Sequence, residues 1–155
     1  MSRLFRKGQL QEAEPSNDIA TAYLQRSEES LSSAKALLRI GNLKDTVALA
    51  YYAMYHCLLA VLFRIGIKCE NHTAAIMVLK EAFELDTTAI VKAKSERVDK
   101  QYYVDFEVMK EEAESAIAVA EEFVSKMTNL IATLTEQRVK EYHERAVRLF
   151  KDKNP

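Results

Sequence analysis

Residues 49–64, Leu49-Ala-Tyr-Tyr-Ala-Met-Tyr-His-Cys-Leu-Leu-Ala-Val-Leu-Phe-Arg64, form an apolar run without Gly or Pro, interrupted before its last residue only by three tyrosines and one histidine. A helix apolar at every angle has to be enclosed by other helices or by lipid. Each phenol or imidazole inside it needs a hydrogen-bond partner. The run is therefore either the central helix of a core or one wall of a site. It falls short of the roughly 20 apolar residues of a membrane span, and His56 sits at its centre. No membrane segment is expected.

At 155 residues, 48% hydrophobic and 29% charged, the chain has the size of one domain with a single core. A net charge of -1 creates no overall field for nucleic acid, so any such binding has to come from a local patch. Cys57 and Cys69 are too few for a disulfide framework. Together with an N-terminus, Met1 to Gly8, that lacks the apolar region of a signal peptide, they point to a reducing cytoplasm.

Pro15, Gly41 and Gly66 mark breaks, and everything between them is helical in pattern. Residues 1–15 read as a mobile N-terminal arm. Ser16 or Asn17 caps a first helix with apolar positions Ile19, Tyr23, Leu31, Ala34 and Leu38, closed by Gly41. Asn42 with Asp45 signals the start of a second, which carries the tyrosine run and stops at Gly66. Asn71 caps a third through Phe83, and Thr87 or Thr88 a fourth that frays near residues 101–103. From about Asp105 to Lys153 there is neither Gly nor Pro, and Met109, Ala113, Ala116, Ala120, Phe123, Met127, Leu130 and Leu134 form a heptad seam. The expected fold is all-α, an up-and-down bundle of four or five helices with a long C-terminal helix. Residues 16–127 make the bundle and 128–155 a C-terminal extension.

A continuous last helix would reach roughly 70 Å, too long for a domain of this size. Beyond Leu134 the apolar stripe resumes on another face at Val139, Tyr142, Ala146 and Leu149. A bend is easiest among Ser125, Thr128, Asn129, Thr133 and Thr135, which compete for backbone hydrogen bonds. The tail is expected to leave the bundle and pack on a second subunit or a partner.

Few residues announce chemistry. His56 lies four residues after Tyr52, placing an imidazole above a phenol on one helical face, either as a ligand site or as a satisfied core pair. His72 follows Asn71 at a helix start, a position that favours an anion. Cys69 and His72 have the spacing of two zinc ligands, but a structural site takes four, and His56 and Cys57 are adjacent on a helix and point apart. No metal and no cofactor is expected. Glycine-rich phosphate loops, nucleophile elbows and His-Glu-x-x-His are missing from the sequence. The acids Asp105, Glu107, Glu111, Glu112 and Glu114 read as the dipole-complementing start of a helix.

The run Ala50-Tyr-Tyr-Ala-Met-Tyr-His56, the Gly41 turn before it, the Gly66 to His72 turn after it, and Arg97 followed by Tyr102 together resemble the HEPN family over about residues 17–127. The resemblance implies an up-and-down helical bundle, commonly dimeric, with a nucleotide-binding role. Many members are RNA-cleaving toxins, or partners of minimal nucleotidyltransferases in toxin–antitoxin pairs. Nuclease members carry an Arg, four to six variable residues and a His. Here Arg97 matches, but Tyr102 and Tyr103 stand where the histidine belongs, as in a branch whose pattern ends in tyrosine. A phenol titrating near about 10 does not exchange protons at neutral pH as an imidazole near about 6.5 does. Arg138 and His143 repeat the spacing outside the matched region, as chance allows.

The expected ligand-binding set is Arg97, Tyr102, Tyr103, His56, His72 and Tyr52, with no catalytic residue assigned. The expected protein is a HEPN-type homodimer that binds a nucleotide or RNA, paired with a minimal nucleotidyltransferase, and not an enzyme. The alternatives are a metal-independent ribonuclease toxin and a purely structural helical partner protein.

Overall fold

The computed structural model of the chain describes residues 10–102 and 107–151, with side chains placed except at 98–102 and 150. Among these residues the elements run β1 (Leu10–Glu12), α1 (Asn17–Arg39), α2 (Leu43–Arg64), β2 (Ile67–Cys69), α3 (His72–Phe83), α4 (Thr88–Tyr102), α5 (Lys110–Thr133) and α6 (Glu136–Lys151). The protein is an all-α bundle carrying one small antiparallel ribbon, in which Leu10 pairs with Cys69 and Glu12 with Ile67.

The tyrosine run is the axis of the molecule. In α2, Ala50, Tyr51, Ala53, Met54, Tyr55, Cys57, Leu58, Ala60, Val61 and Leu62 are all buried. By length and composition α2 could cross a bilayer, but 78% of its apolar stretch is covered by the rest of the chain. α1 returns along it after a tight turn in which Gly41 takes a left-handed φ of +80° with open space around it, a conformation that favours glycine. Ala20, Ser27 and Ala34 are the buried positions of α1, and these small side chains let the two helices approach closely. Ser27 Oγ donates to the Ala53 carbonyl at 2.6 Å, a buried link between the pair. α4 and α5 close two further sides of α2, and α3 also packs against it, with His72 at the start of α3 meeting Tyr51 and Tyr55.

Caps follow the sequence signals with small differences. Ser16 Oγ accepts from Ile19 N and Asn71 Oδ1 from Ala74 N. Asn42 instead donates its amide to Asp45, and α4 is opened by Asp86, whose Oδ1 accepts from the Thr88 amide and hydroxyl. Those two bonds hold the Asp86 carboxyl below its ordinary titration range.

Three expectations are corrected. Residues 10–15 do not form a free arm: beyond the ribbon, Ala13 N donates to Gly66 O and Ser16 N to Phe63 O, so the segment satisfies carbonyls freed at the end of α2. The first nine residues of the expected arm lie outside the described residues. Second, no boundary falls at 127, because α5 runs unbroken to Thr133. Third, the tail does not leave the bundle. The chain turns at Leu134, Thr135 Oγ1 accepts from Arg138 N, and α6 folds back on α3. Val139, Tyr142, Ala146 and Val147 are buried there, and Tyr142 stacks on Phe83 with ring centroids 4.2 Å apart. The shift of the apolar stripe after Leu134 thus records the start of a new helix rather than a face turned toward a partner. Along α5 the seam holds from Ala113 to Met127, whereas Met109 is 60% exposed.

Candidate functional site

One stripe of α2 escapes enclosure. Leu49, Tyr52, His56 and Phe63, spaced by three, four and seven, are half-buried while the rest of the helical surface between them is covered. The middle of this stripe is where the polar groups of the tyrosine run find partners.

Tyr51 is fully buried beneath it, and its hydroxyl lies 2.7 Å from His72 Nδ1. Burial pushes the Tyr51 phenol well above its usual range, against the opposing pull of Arg97, so the phenol keeps its proton and is the natural donor to Nδ1. Donation to Nδ1 puts the imidazole proton on Nε2. Tyr55, its phenol also raised by burial, lies under the His72 ring at a centroid distance of 3.7 Å. From α4, the Arg97 guanidinium sits over the rings of both Tyr51 and Tyr52, 5.4 Å from each centroid, and its Nη1 donates to Tyr52 Oη at 3.0 Å. Arg97 Nε is buried and has no hydrogen-bond partner among the described residues. His56 stacks against Tyr52 at 6.1 Å, with Nδ1 3.3 Å from Ser30 Oγ on α1. Lys94, three residues before Arg97, donates to Thr73 Oγ1 in the first turn of α3.

Both histidines are held below their ordinary titration range. For His72 the cause is burial, followed by the cations Arg97 and Lys94 and then His56; for His56 it is burial and then Arg26. Among the described residues, the charged side chains that shift the two rings are the cations Arg97, Lys94 and Arg26. The cluster consequently offers donors, namely Arg97 N–H groups, the Lys94 ammonium and His72 Nε2–H, around aromatic faces. That is the chemistry of an anion site, and a planar guanidinium suits phosphate best.

Of the residues expected from the sequence, the structure brings Tyr52, His56, His72 and Arg97 into this one cluster. Tyr102 ends α4 and only its backbone is described; Tyr103 lies outside the described residues. Tyr51, Tyr55 and Lys94 were not anticipated as site residues. The signal for Tyr55 was its place one turn from Tyr51 and Tyr52, and for Lys94 its i,i+3 spacing to Arg97. Cys69 donates its thiol to Asn71 O and is pushed up to about 11 mainly by burial. Among the described residues no three His, Cys, Asp or Glu side chains stand together as a metal site would require. The Arg138 and His143 pair lies elsewhere, on α6. His143 faces Ile65 O through Nδ1 at 2.7 Å and Glu12 Oε1 through Nε2 at 2.9 Å, clamping α6 to the N-terminal ribbon.

Comparison with known proteins agrees with this architecture. The HEPN domain profile matches residues 20–137. Similar proteins include the "UPF0332 protein PH1297" of Pyrococcus horikoshii, 41% identical over 54 residues, which cover 35% of this chain and 38% of that one. A second, from Methanocaldococcus jannaschii and named "Putative toxin MJ0605", is 33% identical over 113 residues, 68% of this chain and 84% of its own length. The profile spans most of the helical bundle and the second relative most of its own chain, and on that basis this chain belongs to the HEPN domain family.

Proposed function

We propose that this protein is a homodimer that binds the phosphate of a nucleotide or RNA at the Arg97, Tyr52, His56 and His72 cluster, and that it works in a toxin–antitoxin pair with a minimal nucleotidyltransferase. The observation that carries the binding site is Arg97: a guanidinium laid across two tyrosine rings, with its buried Nε lacking a partner among the described residues, and with Lys94 as a second cation acting on the same histidine. An isolated cation in that position is costly unless an anion completes it. The toxin name of the second relative supports the pairing, and the dimer is what the family resemblance implies. The tyrosine at the motif's histidine position is consistent with binding in place of cleavage.

A metal-independent ribonuclease is the second reading. It is favoured by His72, an imidazole beside Arg97 that burial and the neighbouring cations keep in its neutral, proton-accepting form. The same experiment separates the two. Purified protein is mixed with labelled RNA and with nucleotides, and binding and cleavage are scored independently. Arg97→Ala should weaken binding about tenfold or more, since a charge-assisted hydrogen bond is worth on the order of 1.5–3 kcal/mol, while the melting temperature barely moves. Cleavage lost in both Arg97→Ala and His72→Ala would establish the nuclease. Unchanged binding in Arg97→Ala, or its failure to fold, would make the cluster structural. Sedimentation as a monomer at tens of micromolar would remove the dimer.

A further inference from the structure

The Arg97 cluster is one end of a longer feature. From His72 the rings continue to Tyr52 at 6.4 Å, from Tyr52 to His56 at 6.1 Å, from His56 to Tyr23 of α1 at 6.3 Å, and from Tyr23 to Phe63 at 5.2 Å, the last pair nearly parallel. All five rings are half-buried. They follow the single open stripe of α2 and the crease between α1 and α2, and Tyr52 and Phe63 stand about three helical turns apart, roughly 16 Å. Enclosed helices do not ordinarily leave a connected file of aromatic rings at the surface. The charge distribution along the file is graded. Arg97 and Lys94 act at the His72 end and Arg26 at His56, whereas at the Phe63 end Arg64 is neutralised by Glu136 at 2.8 Å.

We infer that this file is a track for single-stranded RNA, with one phosphate held at Arg97 and the following bases stacked along Tyr52, His56, Tyr23 and Phe63. The inference rests on the phosphate reading of the Arg97 cluster and extends it from a mononucleotide pocket to an oligonucleotide path of roughly two to four nucleotides. Every base has a π-face, so such a path is sequence-tolerant. A duplex hides its bases within the stack and cannot use it. Because the cations gather at one end, most of the salt dependence belongs to Arg97, and the far end contributes stacking with little counterion release.

The test uses the full chain and oligouridylates of one, two, three, four and six nucleotides, with binding followed at several salt concentrations. Affinity should rise with length up to about four nucleotides and then level off. Tyr23→Leu and Phe63→Leu keep apolar bulk against the core, and a melting curve checks that they fold. Each should weaken binding of the four-nucleotide RNA about fivefold or more, leaving the mononucleotide affinity and the salt slope unchanged. Arg97→Ala should weaken every length and flatten the slope. If both leucine variants bind the longer RNA as the parent does, or affinity stops growing after one nucleotide, or duplex RNA of the same sequence binds better, the track is wrong while the Arg97 site stands. If neither mononucleotide nor oligonucleotide binds the parent protein, the Arg97 reading falls and the track falls with it.

Discussion

Two regions of this molecule are made from the same side-chain types and do different things. In one, Arg97 lies over Tyr51 and Tyr52 beside His72; in the other, Arg138 and Arg145 lie 5.3 and 5.6 Å from the centroid of Tyr142, next to His143. Each combines arginine, tyrosine and histidine. What separates them is how much hydrogen-bonding capacity the fold has already used. His143 has both ring nitrogens committed, to a backbone carbonyl and to a carboxylate, and Arg138 reaches Tyr142 Oη at 3.2 Å and Glu141 at 3.8 Å from an exposed position. At the Arg97 cluster the charged neighbours that shift the two histidines are, among the described residues, the cations Arg97, Lys94 and Arg26, and a buried N–H has no partner among the described residues. An arginine and a histidine beside a tyrosine do not define a site; unspent donors in a half-open position do.

That contrast can be broken at several points. The largest effect is expected at the clamp, from Gly66→Ala. Gly66 has a φ of +80°, and a Cβ there would come within 2.5 Å of the Ala13 carbonyl, a backbone atom, and 3.0 Å of His143 Nδ1. Left-handed strain together with displacement of the N-terminal segment should cost about 2–3 kcal/mol, read as a melting temperature lower by about 4–10 °C for a chain of this size. RNA binding by the surviving folded protein should be unaffected. His143→Leu tests the clamp by removing both of its links and stranding the Ile65 carbonyl. A loss of about 1–2 kcal/mol in stability is expected, again with unchanged ligand affinity. A His143 variant that melted normally but failed to bind would reverse the assignment of the two regions.

The histidines of the candidate site supply a pH test with opposite signs for stability and binding. His56 and His72 titrate lower in the folded chain than in the unfolded one, where the ordinary value is about 6.5. Below that value the unfolded chain binds more protons, so stability is greatest above about pH 6.5 and falls as the pH drops toward the folded-state values. An anion in the cluster favours the protonated rings, so phosphate affinity should rise over the same descent. Denaturant melts and binding titrations between about pH 7.5 and 5.5 measure both; parallel trends would show that the ligand does not sense the histidines. The smallest effect belongs to Arg138→Ala. This exposed residue should change stability by no more than about 0.5 kcal/mol and leave binding untouched, in contrast to Arg97→Ala.

The sequence alone determined the all-α class, the burial of most of Tyr51 to Phe63, the turns at Gly41 and Gly66, and the seam from Ala113 to Met127, because these follow from local periodicity and from residues with one conformational use. It also singled out Tyr52, His56, His72 and Arg97, three from the residues around the tyrosine run and one from a family motif. Other features had no local signature. The three-residue ribbon is too short to show a strand period, and its partners lie far apart in the chain. The return of α6 onto α3 depended on Phe83 needing a cover such as Tyr142, a contact between residues distant in the chain that no stripe on α6 encodes. The same holds for the roles of the histidines. Tertiary packing decided that Ile65 O and Glu12 would occupy His143, and that His72 would meet Tyr51 and Arg97 with a nitrogen to spare. Whether a polar group is consumed or left available is settled by neighbours the chain brings from elsewhere.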